Sequence, residues 1–344
     1  MGSMLVGSLP AGIYSTNNAE ACHYISAHSK AQVLVVDGPT QLRKYLTAAH
    51  LVDLKCVVVW GDAAAIDPAL IAQCTVPVYS WSEFLCLGAS VSMAVVDARI
   101  ASVQPGHCAS LIYTSGTTGP PKAVMLSNDN ITWTCQIFAT EYVVDGMLPG
   151  RVVSYLPLSH VAAQMIDIHY GYYSGTTVFF AQPDALKGSL STTLKEVRPT
   201  VFFGVPRVWE KVEEKLKEMG QKTTGIKKIM STWAKKLGFA HCQQAQFGAK
   251  DENGAPWCYH VARVLVLDKI KEALGLDKCR AYFTAAAPIS VDTLQYFASL
   301  DIALYELFGQ SESTGPHTSS KFGQWKFGYC GRPLPGTWRR SLYY

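Results

Sequence analysis

Short apolar runs bounded by turn residues alternate with amphipathic stretches through the first hundred residues, and this alternation constrains the fold more than any other feature of the chain. AEACHYISAHSK (residues 19–30) has helical spacing, QVLVVDG (32–38) reads as a short buried strand, TQLRKYLTAAH (40–50) is helical again, and LKCVVVWGD (54–62) is a second strand. Parallel strands need a crossover between them, and a helix is the usual one, so the predicted class is α/β: βαβ-type sheets with flanking helices. The rhythm resumes in RVVSYLPLS, TTVFFA and PTVFFGVP, separated by helical segments such as SLSTTLKEV. Their near-continuous apolar character suits strands covered on both faces. CRAYFTAAAP and DIALYELFG follow, each ending in a loop of small residues.

A chain of 344 residues exceeds one typical domain, and 49% hydrophobic against 16% charged residues predicts a sizeable core rather than disorder. A net charge of +4 without a dominant Lys/Arg block predicts no nucleic-acid partner. The ten cysteines form no C-x-x-C pair and no zinc-spaced set with histidine, so they read as reduced core residues of an intracellular protein. MGSMLVGSLPAG lacks the basic start of a secretory leader, and Val6 occupies the position where a myristoylation signal wants Ser or Thr. His160, Asp167 and His169 interrupt the best apolar stretch, so no transmembrane segment is expected and any membrane contact is peripheral. The segment RVWEKVEEKLKEMGQKTTGIKKIMSTWAKKLG reads as a solvated amphipathic helix pair packed on a sheet. A docking face for acidic lipids is its sharper reading. KDENGAPW reads as an exposed loop.

The densest chemistry lies in YTSGTTGPPK, residues 113–122, directly after the apolar run ASLI. Thr114, Ser115, Thr117 and Thr118 offer hydroxyls, Gly116 and Gly119 let backbone N–H groups approach closely, and Lys122 adds a mobile positive charge beyond Pro120 and Pro121. These are the parts of a phosphate cradle. The P-loop pattern does not fit, because Lys122 comes three residues after Gly119 and Ala123 stands where the magnesium-binding Ser or Thr would follow. A plain strand-to-strand turn would not need so many donors.

TSGTTGPPK resembles the signature of the adenylate-forming, or AMP-binding, superfamily, with Ala123 in place of a common Gly. The resemblance implies the large N-terminal lobe of such an enzyme, with residues 114–122 holding ATP phosphates and Lys122 acting catalytically. YELFGQSE (305–312) resembles the family's aromatic-Gly-x-Ser/Thr-Glu motif. It implies nucleotide contacts from Glu306, Leu307, Phe308, Gly309, Gln310 and Ser311, with Phe308 stacked on the base and Glu312 holding Mg2+ together with Thr118. TAAAPIS (284–290) resembles the small-residue turn beside the adenine, through Ala286 and Ala287. YLPLSH resembles the L-P-L-x-H motif, in which His160 orients the carboxylate substrate; a histidine satisfied by backbone in the core is the alternative. VPRVWEKV resembles the long-chain branch, where Trp209 would gate a fatty-acyl tunnel, although an aromatic on an amphipathic helix commonly packs in the core.

Together with GRPLPG (331–336), these motifs are most similar to the bubblegum-type long-chain or very-long-chain acyl-CoA synthetases, over about residues 7 to 336. The implied reaction is ATP-dependent activation of a long-chain fatty acid through an acyl-adenylate to acyl-CoA, with ATP, Mg2+ and coenzyme A. The implied location is cytoplasmic, with peripheral contact at the endoplasmic reticulum membrane. The expected organisation is a partial first α/β subdomain (1–100), an AMP-binding subdomain (101–336) and an atypical tail (337–344). The family's ribose-binding Asp, hinge Arg and catalytic Lys follow the GRPLPG turn, where only TWRRSLYY stands here. A chain truncated at both ends, without the mobile C-terminal domain and impaired in activity, is therefore expected. The alternative is a catalytically inactive nucleotide- or acyl-binding module that partners a full-length relative.

Overall fold

The computed structural model describes residues 1–46, 50–61, 66–114, 119–142, 150–247 and 255–337. Of the sequence features above, Ser115 to Thr118, most of the KDENGAPW loop and the last seven residues lie outside these. The chain divides into two units: Met1–Asp129 with Pro157–His160, and Asn130–Leu156 with Val161–Tyr344.

In the first unit, helix α1 (Ala19–His28) starts where the Asn18 side chain accepts from the Ala21 amide. Strands β2 (Val33–Asp37), β3 (Cys56–Trp60) and β4 (Val78–Ser80) form a parallel sheet with β3 in the middle. Val57, Val58 and Val59 are almost wholly buried, as a central parallel strand covered on both faces requires. On β2, Leu34 and Val36 face the core while Val33 and Val35 are exposed. The stretch TQLRKYLTAAH departs from a continuous helix: a short helix, Gly38–Leu42, tightens into a 3-10 turn, Arg43–Tyr45. The tightening places Leu42 and Tyr45, three residues apart, together in the core. Helices α2 (Trp81–Leu87, with a Ser80–Glu83 capping box) and α3 (Met93–Ser102) follow.

A second sheet in this unit carries the phosphate-loop motif. Strand β1 (Ala11–Gly12) lies parallel to β5 (Cys108–Thr114), which pairs antiparallel with β6 (Lys122–Ser127). Because β1 joins that hairpin, residues 101–129 group with the first hundred residues and the boundary falls near Asp129.

Helix α4 spans Asn128–Tyr142, and all but its first two residues belong to the second unit. Strands β7 (Arg151–Ser154) and β8 (Thr177–Phe180) pair in parallel. Helix α5 spans Leu190–Val197. The larger sheet has β9 (Val201–Gly204), β10 (Ala281–Thr284) and β11 (Leu304–Gln310) parallel, with β12 (Gly315–Ser319) and β13 (Arg332–Pro333) added antiparallel. Helices α6 (Pro206–Gln221), α7 (Gly225–Gln244), α8 (Trp257–Ala262), α9 (Asp268–Leu274) and α10 (Val291–Ser299) complete it. Its core gathers Phe202, Trp209, Tyr282, Leu294, Phe297, Leu300, Ile302 and Leu304.

A buried charge cluster joins three of these helices. Asp301, in the turn after α10, takes the left-handed region at φ 59°, which Asp tolerates better than most residues. Its carboxylate meets His241 Nδ1 of α7 at 3.0 Å and Lys271 Nζ of α9 at 2.7 Å. Burial alone would push the Asp301 carboxyl up, but the His241 hydrogen bond and Lys271 together outweigh it and hold it at about 2. Its contribution to stability is therefore present above about pH 4 and lost as pH falls towards 2. Lys271→Met keeps the aliphatic stem and strands this carboxylate. It should cost roughly 2–4 kcal/mol in urea denaturation at pH 7. A loss under about 1 kcal/mol would show that the pair contributes as little as an exposed one.

Candidate active site

The motif YTSGTTGPPK spans the connection of an antiparallel hairpin. Thr114 ends β5, Lys122 begins β6, and the two stand opposite each other in the ladder. Gly119 sits at φ 90°, a conformation that favours glycine, and Lys122 is exposed. Helix α1 fixes the hairpin from the side: the Tyr24 hydroxyl donates to the Pro121 carbonyl at 3.1 Å, and His28 Nδ1 meets the Tyr113 hydroxyl at 2.9 Å. Both stems of the loop are thus held, and its lysine is left at the surface.

His160 ends the Pro157–His160 stretch that groups with this unit. Its amide donates to the Pro157 carbonyl at 3.0 Å, and burial pushes its imidazole below the ordinary range. A ring neutral at pH 7 can donate one hydrogen bond to a carboxylate without carrying charge. Gly12 makes this approach possible, since a Cβ there would lie 2.7 Å from Ser159 Cα.

In the second unit, the remaining motifs follow the carboxyl ends of neighbouring parallel strands, where α/β sheets present ligands. Ala286 and Ala287 are exposed just beyond β10, and Ala286 takes a φ of 76°, uncommon for a residue with a side chain. On β11, Leu307 points into the core, whereas Phe308, Gly309 and Gln310 are exposed and Glu306 accepts from the Gly328 amide at 2.9 Å. The register with β12 shifts between Phe308 and Gly309, a bulge that re-aims the strand. A Cβ at Gly309 would collide with the Gly315 carbonyl, so this bulge needs glycine. The Phe308 ring stands edge-on to His317, at 4.9 Å between centroids. Ser311 and Glu312 follow on a 3-10 turn, Ser311–Ser313, with Glu312 exposed. One exposed carboxylate suits Mg2+, which keeps most of its positions for water and phosphate oxygens. Thr118, the other expected ligand, lies outside the described residues.

Trp209 is wholly buried on α6. Its Nε1–H is shared between the Gly204 carbonyl (3.0 Å) and the Phe283 carbonyl (3.3 Å), and its ring packs on Phe202 and Phe297. Its surroundings are those of a core residue.

Two adjoining features escaped the motif reading. An apolar cavity of about 60 Å³ is lined by Phe138, Tyr142, Ile166, Tyr170, Phe203 and Phe283. A smaller one of about 20 Å³ shares Ile166 and Phe203 and adds Tyr155 and Asp167. Asp167 belongs to a π-helical segment, Gln164–Tyr170, of the kind often found at functional sites. Burial pushes its carboxyl up to about 7 despite a hydrogen bond with Ser154, and burial pushes His169 down to about 4. The signal in the sequence was the lone carboxylate inside VAAQMIDIHYGYY.

The profile of the family described as AMP-binding enzyme matches residues 1–339. The chain belongs to that family. It is 46% identical over 344 residues to the Xenopus laevis long-chain-fatty-acid–CoA ligase ACSBG2, covering 98% of this chain and 44% of that protein. Identity is 42% to the Homo sapiens ACSBG2 (98% and 49% covered) and 41% to the Mus musculus long-chain-fatty-acid–CoA ligase ACSBG1 (98% and 46%). The chain spans about half the length of the curated relatives it matches. Among solved structures, the A-PCP didomain of a Segniliparus rugosus carboxylic acid reductase, in complex with AMP, aligns with a TM-score of 0.64 at 20% identity, covering 92% of this chain and 41% of that one. A benzoate CoA ligase from Burkholderia xenovorans LB400 aligns at 0.60 and 18%, covering 97% and 52%. The α/β architecture of this chain is thus shared with these solved structures.

The raised Asp167 carboxyl makes a signed prediction. Between about pH 4 and pH 7 the folded chain holds a proton that the unfolded chain has released, so stability falls as pH rises through this window and levels off above it. Asp167→Asn should flatten that fall and stabilise the protein at pH 8 by roughly 1–3 kcal/mol in urea denaturation. An unchanged pH slope would mean that Asp167 is well solvated.

Proposed function

We propose that the chain is the nucleotide- and acyl-binding lobe of a long-chain fatty acid–CoA ligase. The observation that carries this reading is the 40–46% identity to ligases of that name across 98% of the chain. In the proposed reaction a carboxylate oxygen of the fatty acid forms a bond to the α-phosphorus of ATP as the bond to pyrophosphate breaks. The coenzyme A thiol then attacks the acyl carbon and AMP leaves. No covalent enzyme intermediate is required, and catalysis is mostly positioning and neutralisation of charge.

The roles follow from what each side chain offers. Lys122, with the hydroxyls and amides of Thr114 to Gly119, balances the negative charge that grows on the departing pyrophosphate. Mg2+ held by Glu312 and Thr118 would supply further neutralisation of the phosphates. Neutral His160 donates to the acid's carboxylate and leaves its attacking oxygen unprotonated. Ala286 and Ala287 leave room for the base, and the half-exposed Phe308 ring offers it a face for stacking. The largely apolar cavity between Phe138, Tyr142, Tyr170, Phe203 and Phe283 would take part of the acyl chain, since about 60 Å³ has room for only a few of its methylene groups. Gating by Trp209 would require its indole to give up two carbonyls and the core, so we assign it to packing.

The proposed location is cytoplasmic, with contact confined to the surface of the endoplasmic reticulum membrane, from which an acid insoluble in water is drawn. Among the described residues no single helix is long and apolar enough to cross a membrane.

The test is ATP–pyrophosphate exchange by the full chain with palmitate, benzoate or an amino acid as the acid. Palmitate should stimulate exchange, and Lys122→Ala should lower it by about 10²–10³. Stimulation by benzoate or an amino acid but not palmitate would contradict the substrate class. ATP binding without exchange for any acid would establish the binding module instead.

A further inference from the structure

Helices α6 and α7 form a hairpin through residues 222–224, and its tip is apolar where solvent would favour polar residues. Met219, Ile226 and Ile229 are 64%, 76% and 70% exposed, and Trp233 is 38% exposed. On α7 the positions that pack inward are Ala234, Gly238 and Cys242, at i, i+4 and i+8. Gly238 lies so close to α10 that a Cβ would fall 2.6 Å from the Ser299 carbonyl oxygen. Ile226, Ile229 and Trp233, at i, i+3 and i+7, form a second stripe about two-fifths of a turn round the helix. Ile226 and Ile229 stand clear of the core among the described residues, and Trp233 is packed in part.

Charge narrows what can cover it. Helix α7 carries Lys227, Lys228, Lys235 and Lys236 and no acidic residue. The glutamates of α6 are not available to neutralise them: Glu213 pairs with Lys217, Glu218 with Lys222, and Glu210 and Glu214 with Arg207. Lys235 is turned towards the Tyr296 ring, 4.8 Å from its centroid. Lys227, Lys228 and Lys236 make no ion pair among the described residues; Lys236 borders the stripe, and Lys227 and Lys228 add exposed positive charge at the first turn of the helix.

A helix with an exposed apolar stripe, an interfacial tryptophan and flanking lysines suits the plane of a membrane that bears anionic headgroups. We propose that the α6–α7 tip docks this protein on an anionic lipid surface, with Ile226, Ile229 and Trp233 entering the headgroup boundary and Lys227, Lys228 and Lys236 meeting the headgroups. The proposal rests on the peripheral-membrane reading above and gives it a surface. The other exposed apolar candidate, the bent pair Trp81–Ser90 and Met93–Ser102, carries Glu83 and Asp97 against Arg99 alone, so it offers an anionic surface no attraction.

The experiment is co-sedimentation of the full chain with phosphatidylcholine vesicles and with phosphatidylcholine/phosphatidylserine vesicles, at low and high salt. The chain should partition at least tenfold more strongly onto the anionic vesicles, and high salt should remove most of that preference. Ile226→Asp/Ile229→Asp and Lys227→Glu/Lys228→Glu should each lower partitioning at least tenfold while keeping the wild-type melting temperature within a few degrees. Leu87→Asp/Met93→Asp should leave it unchanged. Failure of the unaltered chain to bind any vesicle overturns the membrane reading itself. Binding that survives both hairpin substitutions, or that falls with Leu87→Asp/Met93→Asp, overturns only this surface. Light scattering that shows a dimer abolished by the hairpin substitutions, with vesicle binding intact, assigns the stripe to a second copy.

Discussion

The seating of α6 on the larger sheet depends on one shared hydrogen bond, from the buried indole of Trp209 to the Gly204 carbonyl that ends β9 and the Phe283 carbonyl one residue before the end of β10. Parallel strands leave backbone carbonyls facing outward where their ladder stops, and each buried carbonyl without a donor costs free energy. Trp209 satisfies Gly204 and Phe283 together, so α6 is tied to both strand ends in a single geometry. Gly204 must be glycine for this to happen, because a Cβ there would stand 2.5 Å from the indole nitrogen. The Ala286–Ala287 loop follows β10 in this sheet, and the bulge lies in the pairing of β11 with β12.

Two buried carboxyls show how environment decides charge. Asp301 has Lys271 and His241 within hydrogen-bonding distance, and their attraction outweighs desolvation, so it is ionised and joins helices α7 and α9. Asp167 has only Ser154 to set against an apolar surround, and desolvation wins. The first arrangement is a structural joint. The second places a carboxyl whose affinity for its proton is raised by burial against the small cavity that Tyr155, Ile166 and Phe203 also line.

Strands such as CVVVW and VFFG were legible in the sequence because unbroken apolar runs between turn residues leave few alternatives to a buried parallel strand. The amphipathic α6–α7 pair was legible for the same reason of period. Strand β1 was not, since a two-residue strand has no periodicity and its partner β5 lies about 100 residues away. That pairing moves the phosphate-loop hairpin into the first unit. TQLRKYL kept its inward residues but not a continuous helix, since Leu42 and Tyr45, three residues apart, share a face in either helix type and the apolar spacing does not tell the two apart. Motifs brought out Lys122, Ala286, Ala287 and the residues of β11, but they could not show that Leu307 points inward while Phe308 does not. That difference is set by pleat and bulge. The aromatic cavity is built from side chains on α4, the π-helical segment, β9 and β10, and no local window of sequence contains it.

In the function proposed above, everything follows from ATP binding at the hairpin connection between Thr114 and Lys122. Calorimetric titration of the full chain with Mg-ATP, beside the Lys122→Ala protein, tests it most directly. Binding should weaken at least about tenfold on loss of the ammonium group, with an unchanged melting temperature in the absence of ligand. Equal affinity of the two proteins, or a Lys122→Ala protein that is destabilised without ligand, would contradict it and leave the loop as a structural turn.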